Sequence, residues 1–585
     1  MKAIRHLSRT LVLPCLLSAA SAASAASAAS DAPSGAPSAA SPSAAPTLAT
    51  LAIPGDASFV TVAKDILEVR FALDPSIAAG GGLFEDAARV PSFDPGALAS
   101  LLSRLDRDRS ALLAMDWRRW DVDRQIDWRW MYAAAEDARL QIAEEKLFLH
   151  RPASWLEPLA NTYIALLTYV PDRADLRDQL TRAIPAMVDE MRGVALSLTQ
   201  RDVTIADGVA AGILSTLEAE PPGPDRDAAI AALSAYMAEI KAKKGLPEYS
   251  VIGAERYEER LHRAMLLPWS ARQLVALAQR ELNETDAAIA ELRPRISPLP
   301  EPTPEQTALA QNLDQREVLR LYDDVTRADR EFLDRSDVLT VPAGVGPIHA
   351  RPTPEAMIPL TGDGGSMNPP PPMGDSNVGW WNVEHFQADW PLERRIQRVV
   401  SALEQHRTWM GPYAAHEGVP GHHLQLSIAR LHPDPLRSLL QDNPFVEGWA
   451  MYAEEMFWRA GGLGDSLEAQ YRVLNSWRGR IRRVFYDVHV ECGDWTLQEG
   501  ADFRHSARRG QGEVDEDVLR AINWPAQLVC YFSGKMQILE LKEAYRKKLG
   551  PAFTERKFHD ALLAEGSIPV ALMRAKLLGE PVPEP

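Results

Sequence analysis

The chain has 585 residues and a mass of 64.6 kDa, which is enough to bury a large hydrophobic core. A composition of 46% hydrophobic and 24% charged residues is typical of a soluble globular protein and excludes a mainly disordered chain. The formal net charge of −17 argues against nucleic acid or an anionic membrane surface as a partner, because both would repel an acidic protein.

Residues 1–23 have the organisation of a secretory signal peptide. Lys2, Arg5 and Arg9 precede an apolar run over residues 11–17, and Ala-Ser repeats after it offer cleavage sites. The apolar run is too short to span a bilayer, so we expect a periplasmic or secreted protein without stable membrane insertion. Cys15 could carry a lipid anchor, but the proline before it fits a lipoprotein signal poorly, and we expect no anchor. Cleavage would make the net charge three units more negative.

The remainder divides into a linker and two longer regions. Residues 24–48 are mostly Ala, Ser and Pro and predict a disordered linker. Residues 49–340 carry apolar side chains at three- and four-residue intervals and predict a helical N-terminal region. Residues 341–585 contain the motifs that suggest chemistry, and we expect them to form one intertwined domain with residues 49–340.

The helical pattern is interrupted between Val341 and Trp390. Four consecutive prolines, at positions 369–372, precede the run V-G-W-W-N-V-E over residues 378–384. This run predicts a short extended segment directly before the motif region. The sequence therefore predicts a mainly α, multi-helical fold with a small β element.

Residues 414–425 contain the densest group of candidate metal ligands. His416, Glu417, His422 and His423 lie within eight residues of one another. Imidazoles are preferred zinc ligands, and a nearby carboxylate can take a proton from water bound to the ion. The group therefore predicts a zinc hydrolase in which His416 binds the metal and Glu417 is the general base and later proton donor.

The spacing of these histidines requires a break in the helix. On an intact helix the rise from His416 to His422 or His423 would be about 9 or 10.5 Å. Zinc–nitrogen bonds are only about 2 Å long, so one ion could not join them. Pro420 cannot continue the helical hydrogen bonding, and Gly421 permits a tight loop. We therefore expect a break at this Pro-Gly pair that brings two imidazoles together.

The pattern H-E-x-x-P-G-H-H-L-Q, which begins at His416, and the pattern E-G-W-A-x-Y-x-E, which begins at Glu447, together resemble the DUF885 family of bacterial proteins. That family is similar to the gluzincin zinc metallopeptidases related to thimet oligopeptidase. The resemblance implies a metallopeptidase-like fold with a deep cleft. It also implies that Glu447 is the third zinc ligand and that Glu454, seven residues later, orients a ligand imidazole. Because the second ligand often follows a glycine in such enzymes, it favours His422, with His423 as the alternate ligand.

The resemblance also suggests residues that contact the substrate. An oxyanion needs hydrogen-bond donors, and His489 and Tyr531 are the polar candidates, with Gln527 as a substrate-positioning group. Gluzincins place an edge strand before the metal motif, to which a peptide adds through backbone hydrogen bonds. By analogy, Trp381 and Asn382 would lie on that strand; the alternative is a plain connecting strand.

The sequence thus predicts a secreted enzyme with one zinc ion per chain that hydrolyses short peptides, as an exopeptidase or oligopeptidase. A His₂Glu set favours zinc over other divalent ions. The alternatives are a zinc amidase or esterase and a degenerate periplasmic protein that binds peptide or metal. Cys492 and Cys530 could form a disulfide in an oxidising compartment, or they could be two buried thiols. No pattern predicts an oligomeric state.

Overall fold

Helices dominate the chain, as the periodicity of apolar residues predicts, so the mainly α class is confirmed. The computed structural model describes residues 45–194, 197–358 and 362–585. The expected signal peptide over residues 1–23, including Cys15, lies outside the described residues. So does the expected linker up to residue 44.

The first fourteen α-helices are α1 Ala57–Leu73, α2 Pro75–Gly81, α3 Phe84–Ala87, α4 Pro95–Ala114, α5 Val122–Arg139, α6 Leu147–His150, α7 Ala153–Tyr169, α8 Ala174–Gly193, α9 Gln200–Ala219, α10 Pro224–Lys241, α11 Ala254–Glu259, α12 Ala271–Leu292, α13 Pro304–Gln311 and α14 Gln315–Arg335. The remaining helices are α15 Leu392–Leu403, α16 Met410–Glu417, α17 His422–Ala429, α18 Leu436–Leu439, α19 Asn443–Arg459, α20 Leu467–Glu491, α21 Leu497–His505, α22 Glu516–Asn523, α23 Cys530–Leu549, α24 Glu555–Leu563 and α25 Val570–Leu578. One turn of π-helix extends α5 and another extends α11.

Side-chain caps fix where many of these helices begin. Asp56, Ser270 and Ser466 each precede a helix and accept a hydrogen bond from a backbone N–H of its first turn. Such a cap supplies a partner for one of the free N–H groups at a helix start. Asp442 caps α19 in the same way through the N–H of Phe445, which fixes the start of the helix that carries Glu447.

The largest hydrophobic cluster draws on both long regions of the chain. It runs from Leu48 near the start to Val582 near the end. A buried Arg437 in α18 also pairs with Asp127 of α5 and Glu565 near the C-terminus. The two regions, residues 49–340 and 341–585, therefore share one core within the compact unit over residues 45–585. Because Leu48 is buried and starts a 3₁₀ turn, ordered structure begins before residue 49.

A three-stranded sheet lies before the motif helices. Its strands are β1 Ile348–Pro352, β2 Ser366–Asn368 and β3 Gly379–Val383, in the order β1-β3-β2. Strand β3 pairs parallel with β1 and antiparallel with β2. The expected extended segment is therefore present, but it is the central strand of the sheet.

Two further observations concern the membrane and the cysteines. Over the described ranges, no helix combines the length and the apolar character that a bilayer crossing requires. Cys492 and Cys530 are both free thiols, so the disulfide alternative is not what the structure shows.

Candidate metal centre

The expected interruption of the helix is present between α16 and α17. Helix α16 ends at Glu417, α17 begins at His422, and residues 418–421 form the connection. The chain folds back so closely that a Cβ atom on Gly421 would lie 1.9 Å from the carbonyl oxygen of His416. Only glycine can occupy such a position, which explains why the proline is followed by glycine.

Helix α19 holds this connection in place from the other side. The indole of Trp449 donates a hydrogen bond to the carbonyl oxygen of Pro420, with 2.9 Å between the two heavy atoms. One residue earlier, Gly448 meets Gly534 of α23, where a Cβ on Gly448 would lie 2.3 Å from the carbonyl carbon of Gly534. The Glu-Gly-Trp part of the second motif therefore packs α19 against α23 and against the connection between α16 and α17, at the position of Glu447.

The structure brings three predicted ligands together. The Nε2 atoms of His416 and His422 lie 3.7 and 3.4 Å from the same carboxylate oxygen of Glu447. The three ligand atoms lie within 4.8 Å of one another. The two imidazole rings are nearly perpendicular, with centroids 4.7 Å apart, so both can direct a nitrogen at one point.

These residues fit a zinc ion. Tetrahedral ligands with bonds of about 2 Å lie about 3.3 Å from one another, close to the two separations found here. The Oε2 atom of Glu447 is buried and accepts no hydrogen bond from the residues described. A buried carboxylate oxygen without a partner is costly, and a cation between it and the two imidazoles would remove that cost. Burial alone would raise the pKa of Glu447, but the close approach of the imidazoles of His416 and His422 outweighs it and holds that pKa well below its usual value.

Glu454 lies behind His416, where it was predicted to orient the ligand imidazole. Its Oε1 atom is 2.9 Å from Nδ1 of His416, so Nε2 is the nitrogen that faces Glu447. Burial by itself lowers the pKa of His416, but the carboxylates of Glu447 and Glu454 outweigh it and raise that pKa to about 9. A carboxylate in this position fixes the tautomer and strengthens the basicity of a metal-binding imidazole.

Glu417 is the last residue of α16 and is 7% exposed. Burial raises the pKa of its carboxyl group, and the charges of His416, His422 and Arg480 partly offset that rise. A carboxyl group with a raised pKa beside a group of candidate metal ligands is suited to accept and return a proton.

The alternate ligand His423 faces away from the cluster. Its Nε2 atom is 2.9 Å from the carbonyl oxygen of Gly346, and its Nδ1 atom lies against Gly379 at the start of β3. Consecutive helical positions differ by about 100° around the axis, so His422 and His423 cannot face the same point. In this structure His422 is the neighbour of Glu447, and His423 connects α17 to the sheet.

Tyr531 and Gln527 lie at the edge of the cluster. The ring of Tyr531 is nearly parallel to that of His416, with 6.4 Å between the centroids. A guanidinium nitrogen of Arg520 donates to Oε1 of Gln527 at 2.7 Å and to the hydroxyl of Tyr531 at 3.3 Å. The Tyr531 hydroxyl accepts this bond and keeps its own hydrogen free to donate.

His489 is not brought to the cluster. Its Nδ1 atom is 3.1 Å from a carboxylate oxygen of Asp494, and its ring stacks on Trp495 at the end of α20. Arg480, on the same helix, is close enough to the cluster for its charge to act on Glu417. His489 lies nine residues after Arg480, which is about 13 Å farther along the helix axis. The expectation that His489 stabilises an oxyanion therefore has no support in the geometry.

The expectation of an edge strand at Trp381 and Asn382 is wrong. Both residues lie on β3, which has neighbours on both sides, so its backbone cannot pair with a peptide. Trp381 is fully buried and packs against Tyr322 and Tyr413, while the Asn382 side chain hydrogen-bonds Arg351 and Asn368. The structure matches the alternative of a plain connecting strand, which here supports α16 through Tyr413.

A cavity of about 720 Å³ lies beside the cluster. Asn443 and Pro444 from the start of α19, and Gln527 and Cys530 near the start of α23, form part of its wall. It does not include the three candidate ligands, although Glu447 lies only one turn beyond Pro444. The cavity has the size of a small-molecule or short-peptide site.

The arginines around Tyr531 were not predicted from the sequence. The guanidinium carbons of Arg480 and Arg483, one turn apart on α20, lie 5.6 and 4.7 Å from the centroid of that ring. Arg520 of α22 approaches it from another helix. The basic run over residues 478–483 was the available signal, but a charged run on a long helix more often marks a solvated face.

The family profile described as "Bacterial protein of unknown function (DUF885)" matches residues 75–577. The chain belongs to the DUF885 family. Both motifs of the candidate metal centre lie inside the matched range, so these residues are part of the DUF885 region of the chain. No curated protein matches the chain.

Two solved structures share the fold. A "putative lipoprotein of unknown function" from Shewanella oneidensis is similar over 89% of this chain and 100% of its own, with a TM-score of 0.67 and 20% identity. A "putative lipoprotein" from Colwellia psychrerythraea is similar over 89% of this chain and 99% of its own, with a TM-score of 0.64 and 16% identity. At these identities the likeness concerns the fold alone.

Proposed function

We propose that this DUF885 protein is a zinc-dependent peptidase that hydrolyses short peptides, related to the gluzincins. The observation that carries the proposal is the convergence of the Nε2 atoms of His416 and His422 on a buried, unpartnered oxygen of Glu447. Two imidazoles and one carboxylate with a further open position form the ligand set of catalytic zinc sites in peptidases.

Each residue of the cluster has a role in this proposal. A bound zinc ion would polarise the substrate carbonyl and make water a stronger acid. Glu417 accepts the proton of the attacking water at its carboxylate and returns it to the leaving amine. Glu454 holds His416 in the required tautomer through Nδ1. Tyr531 donates its hydroxyl hydrogen to the carbonyl oxygen as negative charge develops there.

We also propose that the protein acts outside the cytoplasm. The signal-like pattern of residues 1–23 supports export, and two structures of the same fold are described as putative lipoproteins. The descriptions of these two structures favour a lipid anchor, whereas the sequence around Cys15 fits a lipoprotein signal poorly. Mass spectrometry of the exported chain distinguishes cleavage within the Ala-Ser repeats from lipid attachment at Cys15.

The test combines metal analysis with peptide cleavage. We expect about one zinc per chain, and we expect Glu417→Gln to retain the zinc and to lose cleavage of a tripeptide library by at least about 100-fold. Glu393→Gln makes the same change at an exposed residue of α15 and should leave cleavage unchanged.

Other results would select the alternatives. Zinc binding with turnover of aryl esters or non-peptide amides, but of no peptide, would show an amidase or esterase. Zinc binding with no turnover would show a binding protein. Absence of stoichiometric zinc after incubation with the metal would contradict the proposal.

A further inference from the structure

Two guanidinium groups beside the proposed metal site lack a carboxylate partner among the residues that the structure describes. Arg480 makes neither a hydrogen bond nor an ion pair there and its Nε atom is buried, although its charge acts at longer range on the carboxyl group of Glu417. Among the described residues, Arg520 donates only to the neutral oxygens of Gln527 and Tyr531, and its Nε atom is buried with no partner there. Nearby, Arg483 pairs with Asp517, as a partly buried arginine ordinarily does.

The chain as a whole is acidic. Acidic residues outnumber basic ones by seventeen, so carboxylates for pairing are plentiful. Arg480 and Arg520 are half-buried, each with a buried Nε atom that has no partner among the described residues, so a ligand carboxylate could supply the missing acceptor. A guanidinium matches a carboxylate through two parallel hydrogen bonds.

The position of the two arginines relates them to the cleavage site. The Tyr531 ring centroid is 6.4 Å from that of His416, and the Arg480 guanidinium carbon is 5.6 Å from Tyr531. The sum of these two distances is no longer than three or four residues of an extended peptide. Arg520 reaches the hydroxyl end of the same ring from α22. A peptide whose scissile carbonyl lies at the metal site would therefore bring its C-terminal end to these arginines after a few residues.

We propose that Arg480 and Arg520 bind the C-terminal carboxylate of the peptide substrate. This inference rests on the proposed peptidase function and narrows it to an exopeptidase that removes one residue or a short fragment from the C-terminus. The preference for short peptides then follows because the C-terminal carboxylate is recognised close to the metal site. Any steric limit on peptide length would add to this preference.

The test compares free and blocked C-termini. A pooled tripeptide library is prepared as the free acids and as the C-terminal amides, and cleavage by the zinc-loaded protein is followed by mass spectrometry. We expect kcat/KM for the acids to exceed that for the amides by about 100-fold or more, because an amide leaves the arginines unpaired. Arg480→Gln should reduce the ratio of kcat/KM for the acids to kcat/KM for the amides by about 10-fold or more, and this ratio cancels any effect of the lost charge on Glu417 because that effect acts on both pools.

Two further variants separate recognition from folding. Arg480→Lys keeps the charge but not the paired donors, so it should restore part of the preference. Arg482→Gln is the matched control on the same helix, where the native side chain bonds Ser506 away from the cluster, and it should keep the full preference. Zinc content and thermal unfolding are measured for every variant, so that a loss of fold is not read as a loss of recognition.

The outcomes distinguish the two proposals. Equal cleavage of acids and amides would overturn carboxylate recognition and leave the peptidase proposal standing. Cleavage of neither pool would overturn both. In a binding assay on the zinc-loaded Glu417→Gln protein, calorimetry should show acid peptides binding more tightly than amides, and equal affinities would again overturn this inference alone.

Discussion

The indole N–H of Trp449 donates a hydrogen bond to the carbonyl oxygen of Pro420, with 2.9 Å between the heavy atoms. This bond joins the two sequence motifs, because Pro420 lies in the connection between His416 and His422, and Trp449 follows Glu447 by two residues. The geometry of the helix break and that of the third ligand are therefore coupled through one side chain.

Trp449→Phe tests this coupling. Removal of the N–H leaves a buried carbonyl without its partner, so we expect the free energy of unfolding to fall by about 1–3 kcal/mol. We also expect zinc affinity to fall, because the loop between the two histidines loses its anchor; competition with a chromogenic chelator measures it. Trp155→Phe removes a similar buried bond, from Trp155 to the carbonyl oxygen of Phe148, that involves neither motif. That control should lose stability without losing zinc affinity, and equal zinc affinity in both variants would contradict the coupling.

The approach of α19 to α23 depends on Gly448. A Cβ atom there would lie 2.3 Å from the Gly534 backbone, so Gly448→Ala must push the two helices apart. Such overpacking costs about 1–3 kcal/mol, and here it also moves Glu447 away from the histidines. We expect lower unfolding free energy in urea and weaker zinc binding. Gly479→Ala in α20, where nothing lies within 4 Å of the added carbon, should raise stability by up to about 1 kcal/mol. Zinc binding unchanged in Gly448→Ala would contradict this role.

The parts of the site that the sequence predicted are those set by local geometry. Pro420 and Gly421 dictate the break. The resemblance to the DUF885 family implied the roles of Glu447 and Glu454, and these two residues both reach His416 because positions seven apart on a helix share a face. The mainly helical fold follows in the same way from the periodicity of apolar residues.

The parts that the sequence did not predict depend on contacts between distant segments. Strand β3 is central because the short, polar β2 at residues 366–368 pairs with it, and three such residues carry no strand signal. His489 faces Asp494 because it lies at the end of α20, whereas Arg480 and Arg520 meet at Tyr531 only through the packing of three helices. No local pattern specifies such a meeting.

Glu454→Gln should weaken zinc binding by about 10- to 100-fold, the usual effect of losing an outer carboxylate behind a metal-binding histidine. The glutamine keeps the size of the side chain, and its oxygen can still accept a bond from Nδ1 of His416, so the effect isolates the negative charge. Chelator competition measures the zinc affinity, and circular dichroism checks the fold. An affinity equal to that of the wild type would show that the Glu454 charge does not support the site.

The neighbouring Glu455 predicts a dependence of stability on pH. The buried Lys535 ammonium lowers the pKa of Glu455 to about 2, against the opposing effect of burial. Because the folded pKa lies below the unfolded value, the ion pair contributes its full stability above about pH 5 and loses it as pH falls toward 2. The contribution at neutral pH is at most about 3 kcal/mol. Urea unfolding at pH 7 and pH 3.5 should show that the difference between wild type and Glu455→Gln is about 1 kcal/mol smaller at the lower pH. A difference independent of pH would contradict the lowered pKa.

The adjacent residues His422 and His423 provide the most direct test of the proposed metal centre. His422→Ala removes the Nε2 atom that lies 3.4 Å from Glu447, so zinc should no longer stabilise the protein. Zinc at 100 times its dissociation constant should raise the unfolding free energy of the wild type by about 2.7 kcal/mol, since a ligand of the folded state stabilises by mass action. His423→Ala removes only the bond to Gly346 and the packing against Gly379, so it should lower stability equally with and without zinc and keep the zinc-dependent increment. Urea unfolding measures the free energy of unfolding of each of the two variants in zinc and in EDTA, which gives four values. An increment that persists in His422→Ala and disappears in His423→Ala would assign the ligand role to His423, and the cluster at Glu447 would then not be the metal site.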